Sequence, residues 1–269
     1  ARARYHLMTN IINAEDVRII KVADAAIYPD SGKVTILKDA VMPPLQRAII
    51  IANTESRNHQ FYNAGVSIAS RNNYTARGDY DYTDRTGNQQ KIVFDRVRVD
   101  SSGQTVAYGM VSDSMDFTLS PEFAFMGEVS LRSKEKRLMF KGGFHPVTNC
   151  FASQPPWVKF ESLIDPQKVR IPVNFPLRNT DREPVTLGIL FQNSQFGISP
   201  SFFRPKISFS DSIMSTAEGF VEYNVPTNEF RVATTEKLND ISLPGPYLSL
   251  NTWNCKLRGE GKINLSMVS

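Results

Sequence analysis

Apolar and polar residues alternate along much of this chain, and a glycine recurs inside the alternation. One side of each alternating segment carries apolar or very small residues, while the other side carries polar or charged ones. A period of two is typical of a β-strand, in which successive side chains point to opposite faces of the sheet. The pattern therefore predicts strands within residues 74–82, 107–111, 123–131, 217–223 and 257–265.

Turn-forming residues separate these predicted strands. Proline, aspartate, asparagine, serine or glycine occurs in each of segments 29–32, 84–88, 100–103, 132–136 and 226–228. Such residues favour turns because proline restricts φ, polar side chains bond to the nearby backbone, and glycine and asparagine tolerate positive φ. Alternating segments joined by turns indicate hairpins, and we predict an all-β protein.

The recurring glycines require a structural cause, because glycine weakens a strand. The candidate causes are a bulge, strong coiling of the sheet, or close approach of another backbone or a ligand. The spacing from Gly109 to Gly127 is 18 residues and from Gly127 to Gly142 is 15, which disfavours a strict solenoid with one fixed repeat. We favour coiling: one long antiparallel sheet, coiled or folded over its own apolar face, as a β-jellyroll or solenoid-like meander.

Two segments depart from the hairpin pattern. Residues 42–53 fit a helix and a buried strand equally well, and periodicity does not decide between them. Residues 154–184 are rich in proline, which cannot donate a hydrogen bond to a sheet. We expect a long crossover here, between a first β region at 1–153 and a second at 185–269. The alternative is one continuous domain, and in both cases we expect a fragment of a larger protein.

Composition and charge narrow the functional classes. With 41% hydrophobic and 22% charged residues among 269, the chain is typical of a globular protein with a substantial core. The net charge of +4 is small and dispersed, so nucleic-acid binding is not indicated. The sequence lacks an apolar run of about 18 residues, so we predict no transmembrane helix.

The two cysteines allow two interpretations. Cys150 and Cys255 form either one disulfide or two buried free thiols, and we prefer the free thiols. His145 lies five residues before Cys150, and a cysteine beside a histidine is a conceivable nucleophile. A turn histidine and a core cysteine explain this spacing more simply.

Carboxylates give no clear metal or catalytic motif. Asp79, Asp81 and Asp84 lie close together, as calcium ligands do, but the EF-hand spacing is not met. Since the first two alternate with tyrosines, we interpret them as the solvated face of a strand. We expect no catalytic residues, no metal site and no cofactor, and therefore no enzyme.

Aromatic side chains on the predicted strands are the candidate ligand-binding residues. Such rings stack on sugars or line a trough for acyl chains, although packing in the core is the simpler explanation. The candidates are Tyr74, Tyr80, Tyr82, Phe123, Phe125 and Trp157.

The alternating segments 74–131 and 217–265 resemble β-rich regions of long exported proteins from Gram-negative bacteria. The resemblance is to the OstA-like lipopolysaccharide-transport class, and segment 243–250, with Cys255 and 259–261 after it, resembles proteins of that kind too. It implies an open trough of stacked antiparallel strands, no catalytic residues, and a location in the cell envelope, periplasmic or extracellular.

We therefore expect a non-enzymatic structural or binding module of a larger exported envelope protein. The more specific hypothesis is that the module has an apolar trough for a lipid or glycolipid. Its other expected partners are the rest of a larger chain or a protein assembly. One alternative is a carbohydrate-binding or carbohydrate-active β protein that uses exposed aromatics and carboxylates. Another is an assembly or surface scaffold subunit, whose exposed sheet edge pairs with a neighbour.

Overall fold

The computed structural model describes residues 2–193, 197–206, 208 and 210–263. More than half of the chain forms strands, which pair antiparallel, and the α-helix in the described part is short. The prediction of an all-β antiparallel fold is therefore confirmed.

The chain divides into two compact units. Unit 1 comprises Ala1–Thr83, Gly87–Val111 and Glu128–Met139. Unit 2 comprises Asp84–Thr86, Ser112–Gly127 and Phe140–Ser269. The division into β regions at 154–184 stays a prediction.

Unit 1 contains an antiparallel meander and a small separate sheet. Its strands are β1 (Arg2–His6), β2 (Ile11–Glu15), β3 (Ile20–Val22), β4 (Ala25–Tyr28), β5 (Val34–Ile36), β6 (Leu45–Ile51), β7 (Gln60–Ser70), β8 (Asn73–Thr83), β9 (Gln89–Val99) and β10 (Thr105–Val111), with a 3-10 helix at Lys38–Ala40. The meander runs in the order β10-β9-β8-β7-β6-β4-β3, and the small sheet in the order β1-β2-β5. Neighbouring strands in this meander are successive or nearly successive in sequence, as hairpin connections require.

The alternation in β8 separates the two faces of the meander. Tyr74 and Ala76 are buried, whereas Thr75 and Arg77 between them are exposed. Strand pairing decides the structure of segment 42–53, because β6 pairs with β4 on one side and with β7 on the other. Its β-branched isoleucines suit a buried strand, so the helical interpretation of that segment is wrong.

The meander of unit 1 folds over its own apolar face. Asp24, in the β3–β4 turn, accepts hydrogen bonds from Thr105 Oγ1 at 2.6 Å and from Ser133 Oγ at 2.5 Å. His59, in the β6–β7 loop, reaches the backbone oxygen of Glu135 at 2.6 Å. These contacts join residues 76 to 109 positions apart and tie the first strands to the later turns.

Unit 2 carries the remaining strands and the helix. They are β11 (Thr118–Ser120), β12 (Phe123–Arg132), β13 (Leu138–Pro146), β14 (Val158–Ile164), β15 (Ile171–Val173), β16 (Val185–Gln192), β17 (Gly197–Pro205), β18 (Ser212–Ser215), β19 (Gly219–Asn224), β20 (Glu229–Ala233), α1 (Thr235–Asn239), β21 (Tyr247–Asn251) and β22 (Leu257–Glu260), with 3-10 helices at Asp113–Met115 and Val225–Thr227. Residues 128–132 of β12 and 138–139 of β13 belong to unit 1.

The strands of unit 2 form three groups. Their orders are β14-β13-β12 with β11 on β12, then β15-β19-β20-β21-β22, and β17-β16-β18. Segment 154–184 thus contains β14 and β15, and the expected long connection is partly built into sheets. Pro172 lies in β15 at the end of its sheet, where a missing N–H donor is tolerated.

Aromatic rings fill the interior of unit 2. Phe144 meets Phe160 at 5.5 Å and Phe203 at 5.4 Å between ring centroids, and both pairs are edge-to-face. Phe123 meets Phe230 in the same way at 5.3 Å. Edge-to-face pairs add about 0.5–1.5 kcal/mol each beyond the area they bury.

A disulfide joins Cys150 and Cys255, with 5.2 Å between their Cα atoms. The preference for two free thiols was therefore wrong. A pairing across 105 residues of sequence depends on how β21 and β22 return toward the segment after β13, which spacing alone does not reveal.

Candidate functional site

The three predicted tyrosines lie in β8, within unit 1. Tyr74 and Tyr82 are buried, and Tyr80 is partly buried beside His59. Burial raises the pKa of the Tyr80 hydroxyl to about 12 and raises that of Tyr74 further. The Tyr74 hydroxyl bonds to Thr105 Oγ1 at 2.8 Å. These rings belong to the packed interior of unit 1.

The other three predicted residues lie in unit 2. Phe123 and Phe125 are buried in its aromatic core. Trp157 is partly buried, and its ring centroid lies 4.3 Å from that of His145. The six candidates are thus divided between the two units, three in each, and four of them are buried. Their role in ligand binding stays a prediction.

The suggested pair of Cys150 and His145 has no free thiol. Cys150 is bonded to Cys255, so no thiolate forms there. His145 Nε2 accepts from the Gln154 side-chain amide at 2.6 Å, and Nδ1 faces the Pro146 carbonyl at 3.3 Å. Burial lowers the pKa of His145, in keeping with a neutral ring.

The carboxylates of β8 bond to neighbouring side chains. Asp81 Oδ1 accepts from the Tyr62 hydroxyl at 2.6 Å, and Asp79 Oδ2 accepts from Asn63 Nδ2 at 3.3 Å. Lys91 Nζ lies 3.7 Å from Asp79. Across the described ranges, no three His, Cys, Asp or Glu side chains gather into a metal-ligand set.

An apolar groove in unit 2 is the strongest candidate site. Its volume is about 820 Å³. Strand β18, the loop after α1 and the end of β22 line it, and its apolar wall consists of Ile213, Met214, Leu243, Pro244 and Pro246. Apolar clefts of roughly 300–1,000 Å³ are the usual size for small-molecule sites.

A lysine lies within this groove. The Lys237 side chain is 4% exposed, and its Nζ donates to the Leu243 carbonyl and to Glu260 Oε2, both at 2.7 Å. The Tyr247 ring centroid lies 5.7 Å from the same nitrogen, within cation–π range.

Local structure explains how Lys237 is placed. The Thr234 hydroxyl oxygen caps α1 by accepting from the Lys237 backbone N–H at 3.5 Å. A threonine at the N-cap is a common helix start. The loop after α1 brings the Leu243 carbonyl, just before Pro244, to the ammonium group.

The sequence interpretation missed the groove. The sequence interpretation noted segment 243–250 only for its resemblance to exported proteins, and it did not predict Lys237 as a site residue. The available signal was a threonine three residues before a lysine, followed by a loop with two prolines. It reveals a capped turn, but the apolar wall also needs β18, more than 20 residues earlier in the chain.

A second, polar pocket of about 390 Å³ also lies in unit 2. Arg85 pairs with Glu122 on its wall, and Arg170, adjoining the pocket, donates from Nε to Glu222 at 2.7 Å. Asn224 contributes to the lining. Each carboxylate on the wall therefore has an arginine partner that balances its charge.

Comparisons with family models, with curated proteins and with solved structures found no match. No helix in the described part of the chain has the length and apolar character to cross a membrane.

Proposed function

We propose that this chain is a non-enzymatic binding module of a larger exported envelope protein, and that the groove of unit 2 holds the apolar chain of a lipid or glycolipid. The observation that supports this proposal is the apolar wall of the groove, with about 820 Å³ of space in front of it. An acyl chain that covers this wall gains the hydrophobic free energy of the area it removes from water.

The groove supports this proposal better than the sheet faces do. A trough along the apolar face of β8 needs open space, but the rings of Phe61, Tyr80 and Phe94 pack there at centroid distances of 5.5–5.9 Å. The groove instead exposes apolar side chains, and Leu243 is 40% exposed. We therefore propose a lipid site that the sequence interpretation did not name.

The disulfide supports the proposed exported location. Disulfides form and persist in oxidising compartments such as the periplasm and the extracellular space, and they are rare in the cytosol. The bond between Cys150 and Cys255 fits that chemistry.

A fluorescent amphiphile tests the proposal. We expect the uncharged probe N-phenyl-1-naphthylamine to bind with enhanced fluorescence and to be displaced by tetradecanol. Leu243→Gln should weaken probe binding about 5–10-fold, because it replaces apolar surface on the wall with an amide.

Ile241→Gln is the matched control, since Ile241 is 44% exposed in the same loop but does not line the groove. Absence of probe binding, or an equal loss in both variants, would contradict the proposal. Native mass spectrometry of chain purified without detergent should show extra mass that solvent extraction removes.

Carbohydrate binding is the second candidate, and the polar pocket favours it. Carboxylate, amide and guanidinium groups line that pocket, as they do many sites for hydroxyl-rich ligands. Calorimetric titration with neutral oligosaccharides tests this candidate. Binding lost in Gln167→Ala, a change on the exposed pocket wall, would support it, and absence of heat would remove it.

Assembly through a sheet edge has less support. In the described part of the chain, β22 pairs with β21 alone and β18 with β16 alone. Arg258 and Glu260 are exposed along β22, and charged side chains on an edge disfavour addition of another strand. Growth into large particles with rising concentration would overturn this assessment.

A further inference from the structure

The buried ammonium of Lys237 is unusual for an apolar groove. A buried charge is costly unless it is paired and hydrogen-bonded, and Lys237 is 3% exposed as a residue. Its two closest partners are the Leu243 carbonyl and the Glu260 carboxylate. The groove thus combines an apolar wall with one strong hydrogen-bond donor.

The carboxylate partner of Lys237 is exposed to solvent. The Glu260 side chain is 58% exposed and lies at the end of β22. Water and salt screen a carboxylate that is more than half exposed, so its attraction to the ammonium is weaker than that between two buried partners. If an anion anchored by its own apolar chain took the place of Glu260, the ammonium would stay paired.

The charge of the groove favours such an anion. Its charged lining residues are Lys237, Glu260 and Lys262. Two cations and one carboxylate leave a net charge of +1. An amphiphile with an anionic headgroup is opposite in sign to that charge, while its chain covers the apolar wall.

We propose that the groove selects amphiphiles with an anionic headgroup, a carboxylate or a phosphate, which accepts a hydrogen bond from Lys237 Nζ. This inference rests on the proposed function, because it assumes that an acyl chain occupies the groove. It adds the chemical class of the ligand. Lys237 is the specificity-determining residue, and Lys262 adds attraction from the rim.

Displacement of N-phenyl-1-naphthylamine by matched fourteen-carbon ligands tests the selectivity. Tetradecanoate and tetradecyl phosphate should each bind about tenfold or more tightly than tetradecanol, because only they bring a negative charge to the ammonium group. Lys237→Met should remove this preference while tetradecanol still binds. Lys256→Met, a change of an exposed lysine outside the groove, should leave it intact.

A second variant keeps the test valid if Lys237→Met fails to fold. Glu260→Gln removes the competing carboxylate, so it should tighten tetradecanoate binding severalfold and raise the ratio of tetradecanoate to tetradecanol affinity. A weakened or unchanged affinity for tetradecanoate in this variant would contradict the replacement of the Glu260 carboxylate by the ligand headgroup at Lys237.

The outcomes separate the two proposals. If neither the probe nor any fourteen-carbon ligand binds, the proposed function itself fails. If tetradecanol binds as tightly as the two anions, the lipid groove stands and the anion preference is overturned. Phosphate preferred over carboxylate identifies a phospholipid-like head, and the reverse identifies a fatty acid. Displacement of the probe by inorganic phosphate alone would show a site for free anions and would overturn the proposal of an amphiphilic ligand.

Discussion

Hydrogen bonds join the polar side chains that lie inside unit 1. Thr105 Oγ1 donates to Asp24 Oδ1, so the Tyr74 hydroxyl is left to donate to that same threonine oxygen. His59 Nε2 donates to the Glu135 carbonyl, and Nδ1 therefore accepts from the Tyr80 hydroxyl at 3.2 Å. Alternation in β8 placed these tyrosines on the apolar face, but their hydroxyl partners come from distant turns.

Tyr74→Phe should destabilise the protein by about 1 kcal/mol, because a buried hydrogen bond is lost while the ring is retained. Urea unfolding followed by circular dichroism measures this change. Tyr5→Phe is the matched control, since Tyr5 is exposed in β1 and bonds there to Asn10. The hydroxyl of Tyr74 would be shown unimportant if both variants unfolded at the same urea concentration.

His59 should make stability depend on pH. Burial lowers the pKa of His59 below the ordinary value of 6.5. As the pH falls below 6.5, the unfolded chain therefore binds a proton at this residue more readily than the folded chain does. The contribution of His59 is therefore complete above pH 6.5 and decreases as the pH falls below it. We expect the free energy of unfolding to fall between pH 7.5 and 5.5, and less steeply in His59→Gln.

His6→Gln is the control for this measurement, because His6 is exposed in β1. An identical pH slope in wild type and His59→Gln would contradict the assignment of a buried neutral imidazole.

Whole strands show why glycine recurs in this chain. A Cβ on Gly127 of β12 would lie 2.4 Å from the Lys141 carbonyl oxygen, and one on Gly142 of β13 would lie 2.1 Å from that of Met126. Gly127 also has φ of +141°, which disfavours other residues. Of the three causes considered, close approach of a neighbouring strand explains these two glycines, and coiling is not needed for them.

Gly127→Ala should destabilise unit 2 by more than about 2 kcal/mol, because β12 and β13 must separate or twist to admit the methyl group. Gly65→Ala is the control, since the nearest atom to its Cβ is the end of the Gln46 side chain at 3.8 Å. Chemical unfolding of both variants provides the comparison. Equal stability of the two would contradict the close-approach explanation.

At the scale of the whole molecule, long-range links hold each unit together. Unit 1 is drawn from three separate stretches of sequence, as is unit 2. The disulfide closes 105 residues inside unit 2. Long loops cost the unfolded chain much of its freedom when they are closed, so this bond favours the folded state.

Replacing both Cys150 and Cys255 by alanine should lower the free energy of unfolding by about 2–5 kcal/mol. Tryptophan fluorescence in urea reports on this change, because both tryptophans, Trp157 and Trp253, belong to unit 2. Reductant should shift the wild type in the same direction and leave the double variant unaffected. An unchanged midpoint would show that the bond contributes nothing.

The sequence alone determined the class of fold and the inward faces of several strands. Period-two alternation follows directly from strand geometry, so the buried positions of β8, including Tyr74 and Ala76, were predictable. Turn residues likewise marked most hairpins, since their backbone preferences are local. Segment 42–53 was ambiguous because an apolar run suits a helix and a strand alike.

Only the tertiary structure decided the pairing of the cysteines and the site. The groove needs β18, α1 and β22 together, and the cation in it is paired with Glu260, 23 residues later in sequence. Such contacts depend on which sheet each strand joins, and local patterns carry no information about that choice. The aromatic residues were visible in the sequence, but whether they packed or faced solvent depended on the folding of unit 1 and of unit 2.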